Sequence, residues 1–168
     1  MSKIDLKQMQ NSGIGNILEQ HYSKSILYRF LIFVVKDTRA TYDCKNHSEV
    51  YDSQNKVLKI LGDLLLGKEV SSKDIRTAAN APNAAAYAAT TAANAVYAAV
   101  YAANAVYAAV YAADAVYAAV YAANAVYAAA YAADAAYAAK QQEYKNYLIK
   151  LVLEENGINT KTYGMLYI

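Results

Sequence analysis

Apolar residues in the first eighty positions recur at helical spacing. Ile4, Leu6 and Met9 predict a short first helix, with Ser2 and Asp5 resembling a capping box and Asn11-Ser12-Gly13 ending it. Asn16 is a candidate cap for a second start. From Ser25 to Tyr42 the residues Ile26, Leu27, Phe30, Leu31, Ile32, Phe33, Val34 and Val35 form a nearly continuous apolar run. Periodicity alone leaves such a run open to a buried strand, but its length and lack of turn residues favour a helix. Between Ser48 and Leu66 the pattern is cleaner: Val50, Val57, Leu58, Leu61, Leu64 and Leu65 fall three and four apart, and Gly67 stands where a C-terminal cap belongs. Ser71, with Asp74 three residues on, opens a further helix that reaches Asn80, where Ala81-Pro82-Asn83 marks a break or a new first turn.

The pattern then changes character. From Ala92 the chain reads AANAVYAAVY, AANAVYAAVY, AADAVYAAVY, AANAVYAAAY, AADAAYAAKQ, a ten-residue unit in five copies. Asn94, Asn104, Asp114, Asn124 and Asp134 lie ten apart, and Tyr97, Tyr101, Tyr107, Tyr111, Tyr117, Tyr121, Tyr127, Tyr131 and Tyr137 alternate in steps of four and six. Alanine is the best helix former, and neither Gly nor Pro interrupts the stretch between Pro82 and Gly157, so local propensity favours helix. On a wheel with Asn/Asp at zero, the valines stand at about 200° and 240° and the tyrosines at about 300° and 340°. Ten residues fall about 80° short of three turns, so the tyrosine stripe winds around a straight helix instead of running along it.

Three arrangements accommodate that drift. The favoured one is a set of shorter helices packed through their alanine faces, with caps at some Asn/Asp positions. The second is one long helix whose spiralling ridge is covered by a partner or a homo-oligomer; run from Asn83 to Gln142 it would be about 90 Å long. The third is a β-solenoid of five-residue steps, because Ala93-Asn94-Ala95-Val96-Tyr97 and Ala113-Asp114-Ala115-Val116-Tyr117 resemble the A(D/N)LXX unit of pentapeptide-repeat proteins. Ala95, Ala105 and Ala115 replace that family's central Leu or Phe, and alanine is disfavoured in strands. The expected fold class is therefore all-α: a helical N-terminal region (1–80), an alanine/tyrosine array of packed helices (81–140), and a C-terminal amphipathic helix with a docking tail (141–168). In the last part Tyr144, Tyr147, Leu148, Leu151 and Val152 form an apolar stripe within KQQEYKNYLIKLVLEE, and Asn156-Gly157 is the stop.

Composition sharpens the division. Residues 84–139 hold 32 alanines and 10 of the 18 tyrosines but only two charges, Asp114 and Asp134. Residues 1–80 carry 12 basic and 9 acidic side chains and residues 140–168 carry 4 and 3, so the net charge of +2 is dispersed over ordinary flanks. Such a balance points away from nucleic acid and from an anionic membrane surface. The uncharged stretch from Thr77 to Ala113 is long enough to span a bilayer, but an Asn every ten residues and the dominance of Ala make insertion weak. With one cysteine and no apolar signal core at the start, the expectation is a soluble cytoplasmic protein.

The helix LYRFLIFVVKDTRATYD, the segment LLLGKEVSSKDIRTAAN, the alanine–aromatic array and the closing KQQEYKNYLIKLVLEE together resemble the alanine-rich immunity proteins of bacteria and their phage-encoded relatives. The likeness spans about residues 25–155, and its most telling part is the junction GKEVSSKDIRTAAN. It implies an all-helical, non-enzymatic protein without cofactor, whose partner is a toxin or, on a phage, a host defence protein.

The residues add little chemistry of the usual kinds. Cys44 and His47 form a C-x-x-H pair, but only His21 is left as a further histidine, so a structural or surface role is expected in place of a metal site or a nucleophile. Asp37-Thr38-Arg39 is read as a solvated helix end, and Gly13-Ile14-Gly15 lacks the third glycine and the lysine of a phosphate loop. The candidate binding residues are therefore those of the array: Tyr97, Tyr101, Asn104, Tyr107, Tyr111, Asp114, Tyr117, Tyr121 and Asn124. They form a structural ladder, a surface for a partner protein, or clefts in which tyrosine faces and amides hold a nucleotide-like signal.

Overall fold

The computed structural model describes residues 4–41, 48–75 and 137–160, together with Thr77, Tyr121, Asn124, Ala125 and Ala128. These residues are mostly helical, and no strand occurs among them. The expected class, all-α, is the observed one.

Helix α1 (Leu6–Asn11) starts at Asp5, whose carboxylate accepts a 3.0 Å hydrogen bond from the Gln8 amide. Asp5 is thus the N-cap itself and not the far half of a capping box. Helix α2 (Ile14–Gln20) begins behind Gly13, with no side-chain cap, so Asn16 lies inside it and does not open it. Met9, Ile17 and Leu18 are buried, and both helices lie against the C-terminal helix.

Helix α3 (Lys24–Thr41) carries the wide apolar face read from the sequence. Ile26, Leu27, Tyr28, Phe30, Leu31, Val34 and Val35 are all buried, while Ile32 and Phe33 pack partly against the same core. The width has a simple cause. A helix facing one neighbour needs only a stripe, whereas α3 lies against both α4 and the C-terminal helix and must be apolar toward each. Its start is fixed by Ser23, whose Oγ accepts from the Ile26 amide at 3.0 Å.

Helix α4 (Ser48–Leu65) buries Gln54, Val57 and Leu61, three and four residues apart. It ends at Gly67, which adopts φ +73°. The Lys68 amide donates to the Asp63 carbonyl and the Gly67 amide to the Leu64 carbonyl, the pair of bonds that defines a Schellman motif. A helical turn at 72–75 follows, opened by Ser71, whose Oγ accepts from the Asp74 amide and donates to the Asp74 carboxylate. Ile75 is buried and Val70 partly so, which folds this segment back onto the bundle.

The last helix, α5 (Tyr137–Glu155), begins inside the final array unit and crosses the boundary expected at residue 140. Tyr144, Leu148, Ile149, Leu151, Val152 and Leu153 are buried along it. Gly157, at φ +71°, closes it with a second Schellman pair, Ile158 to Leu153 and Gly157 to Glu154, and Ile158 packs partly against the core. The docking expected of the rest of the tail falls on residues 161–168, outside those described.

Candidate functional site

Seven of the nine candidate array residues, Tyr97, Tyr101, Asn104, Tyr107, Tyr111, Asp114 and Tyr117, lie outside the described residues, as do Cys44 and His47. The two that are described lie three residues apart, Tyr121 closing the third array unit and Asn124 standing in the fourth. Tyr121 is helical and packs, partly buried, against the core, and Asn124 is helical and exposed. Ala125 and Ala128 complete the pattern: both are buried, and they stand four and seven residues after Tyr121, on one helical face. Across this junction the closing tyrosine of one unit and two alanines of the next meet the core while the amide meets water.

The seam between α3 and α5 supplies the most specific chemistry among the described side chains. The two helices run antiparallel, since residues early in α3 meet residues late in α5. Ser23 Oγ donates to Glu155 Oε1 at 2.7 Å, and Arg29 donates to Glu154 Oε2 at 2.8 Å. Midway, Phe33 stacks on Tyr147 with ring centroids 3.9 Å apart and meets Tyr144 edge-on at 5.9 Å. At the far end one carboxylate gathers two donors: Lys140 Nζ donates to Asp37 Oδ1 at 2.9 Å, and the Tyr144 hydroxyl donates to Oδ2 at 2.7 Å. Lys140 also reaches Glu143 at 2.9 Å.

This cluster corrects, at Asp37, the reading of Asp37-Thr38-Arg39 as a solvated helix end; the side chains of Thr38 and Arg39 lie outside those described. The Asp37 and Lys140 side chains are only 16% and 18% exposed, so their attraction is screened less than that of an ordinary surface pair. Burial pulls the Lys140 ammonium down, but its hydrogen bonds to Asp37 and Glu143 outweigh that and hold its pKa above the usual lysine value. The sequence carries a usable signal, because Lys140 is the first basic residue after Arg76 and stands at the point where the array ends.

Polarity and burial elsewhere are less concentrated. His21 caps α2 at its C-terminus, and burial lowers its pKa. Tyr22 and Tyr28 lie close together; burial raises both pKa values, and the neighbouring Tyr22 helps push Tyr28 up to about 12. A shallow groove runs beneath the α4 turn between Lys24, Tyr28, Leu64, Leu65, Lys68 and Val70. Leu65, which lines it, is exposed, and the next residue, Leu66, is 74% exposed. No group of three or more metal-ligating side chains occurs among the described residues, and none of their helices is long and apolar enough to cross a membrane. Comparison with known proteins found no matching protein family, no matching curated protein and no matching solved structure.

Proposed function

We propose that this chain is a non-enzymatic binding protein of bacterial conflict, an immunity or phage counter-defence protein that neutralises a toxin or defence effector by occupying its surface. The observation that carries the reading is the array: nine tyrosines on a strict ten-residue unit, with only Asp114 and Asp134 as charges between residues 84 and 139. Tyrosine supplies large contact area at little conformational-entropy cost, and depletion of charge is the mark of an interface centre. The likeness of residues 25–155 to alanine-rich immunity proteins points the same way.

A second reading keeps the array as the binding element but changes the ligand to a nucleotide immune signal that is sequestered uncleaved. The recurring Asn/Asp between tyrosine pairs favours it, since ring faces stack on bases and amides or carboxylates pair with base edges.

The two readings separate in one pair of assays on the full chain. Co-expression with the conflict system followed by purification retains a stoichiometric protein partner under the first reading. A thermal-shift panel of cyclic and ADP-ribose-type nucleotides raises stability under the second, by about 2.7 kcal/mol at a hundredfold excess over the dissociation constant. A protein partner with no nucleotide shift supports the first; a shift with no partner overturns it in favour of the second.

A further inference from the structure

We infer that Asp37, Lys140 and Tyr144 form a latch at the joint between the array and α5, holding down the first two turns of that helix, which open as a unit separate from the rest. Among the described side chains of α5, from Ala139 onward, burial changes abruptly at Tyr144. Ala139 and Gln142 are exposed, and Lys140, Gln141 and Glu143 are only partly covered. From Tyr144 onward six side chains, ending at Leu153, are fully or almost fully buried. The second part is held by apolar burial, which tolerates small displacements. The first is secured to α3 by hydrogen bonds to one carboxylate, which do not. Opening free energies within a helix follow this kind of division, so the polar end is the low-stability unit.

Helix polarity explains why the latch closes when nothing pulls on it. Asp37 lies toward the C-terminal end of α3 and Lys140 in the first turn of α5, each near the unfavourable pole of its own helix. Antiparallel packing brings each charge beside the favourable pole of the other helix, so the pair cancels two penalties at once. Removing Asp37 leaves the Lys140 ammonium partly buried, beside the positive end of α5, with only the more exposed Glu143 to answer it. In sequence the last array unit runs directly into this joint.

The test is site-resolved hydrogen exchange on the full-length protein and on Asp37→Asn, which is nearly isosteric. Exchange at the amides of Gln141 to Tyr144 is expected to accelerate by about tenfold, equivalent to about 1.4 kcal/mol, while amides 148–155 stay within about twofold. Tyr144→Phe keeps the ring packing, removes the hydroxyl's bond to Asp37, and produces a smaller acceleration at the same amides. Equal acceleration along all of α5 in both variants, or none at 141–144 in either, overturns the latch.

Discussion

Tyr22 buries its hydroxyl oxygen without a hydrogen-bond partner among the described residues, at a position where the ring packs against the core. An orphaned buried hydroxyl costs desolvation and returns nothing, so Tyr22→Phe is expected to stabilise the protein by about 1 kcal/mol in chemical denaturation. A loss of stability would show that the hydroxyl is satisfied in solution. Its neighbour Tyr28 titrates late, at about 12 against an ordinary 10.0. The folded state thus holds a proton that the unfolded state has released above pH 10. The stabilisation from keeping Tyr28 neutral is complete below that pH and disappears as pH rises toward 12. Denaturation midpoints measured across that window should fall, and should fall less steeply in Tyr28→Phe. Neither tyrosine is distinguished in the sequence, where burial of one hydroxyl looks like burial of any other. Asp37 was illegible for a related reason: its partners are 103 and 107 residues away, and only packing brings them together.

At the scale of elements, the two Schellman turns show how one backbone device takes two side-chain solutions. After α5 the residue beyond the glycine is Ile158, partly buried against the core, and it follows a buried Leu153 at the matching position of the helix. After α4 the corresponding pair is Lys68 and Asp63, joined by a 2.8 Å ion pair, with Lys59 on the other carboxylate oxygen at 2.9 Å. Those two lysines hold the Asp63 pKa below its usual value. Both glycines have open space where a Cβ would go, so the cost of substitution is backbone alone. Gly67→Ala and Gly157→Ala should each destabilise by about 1–2 kcal/mol, measured as a shift in denaturant midpoint at constant slope. Near-zero effects would mean that the turns relax into another form. These stops were legible, because glycine after an apolar stripe has a direct backbone meaning. The start of α2 was not: Asn16 is a better cap than Gly13 by propensity, yet the burial of Ile17 and Leu18 sets the register.

For the whole molecule, the antiparallel α3–α5 pair organises what is described: α1 and α2 lie against α5, and α4 lies against α3. Charge agrees with this orientation at both ends, since Glu154 and Glu155, at the unfavourable end of α5, meet Arg29 and Ser23 near the start of α3. The all-helical class was legible because 3.6-residue periodicity survives in α3, α4 and α5, each long enough to show it. Helix pairing was not, since nothing in local pattern says which apolar faces meet. In the array, the junction of the third and fourth units places Tyr121, Ala125 and Ala128 toward the core and Asn124 outward. A ten-residue unit would drift by about 80° per copy on a straight helix, so the facing at this junction does not carry over to the other tyrosines, and each has to be tested for itself.

The central claim is that the array, and not the conventional flank, makes the binding surface. Its most direct test is the affinity of the co-purified partner for three proteins: the natural chain, the double variant Tyr107→Ala/Tyr117→Ala, and Leu66→Ser, which removes the most exposed large hydrophobic side chain among the described residues. The tyrosine variant is expected to bind at least about tenfold more weakly while its helical circular dichroism is unchanged, and Leu66→Ser to bind as the natural chain does. Equal binding by the tyrosine variant, with the loss falling on Leu66→Ser, would contradict it.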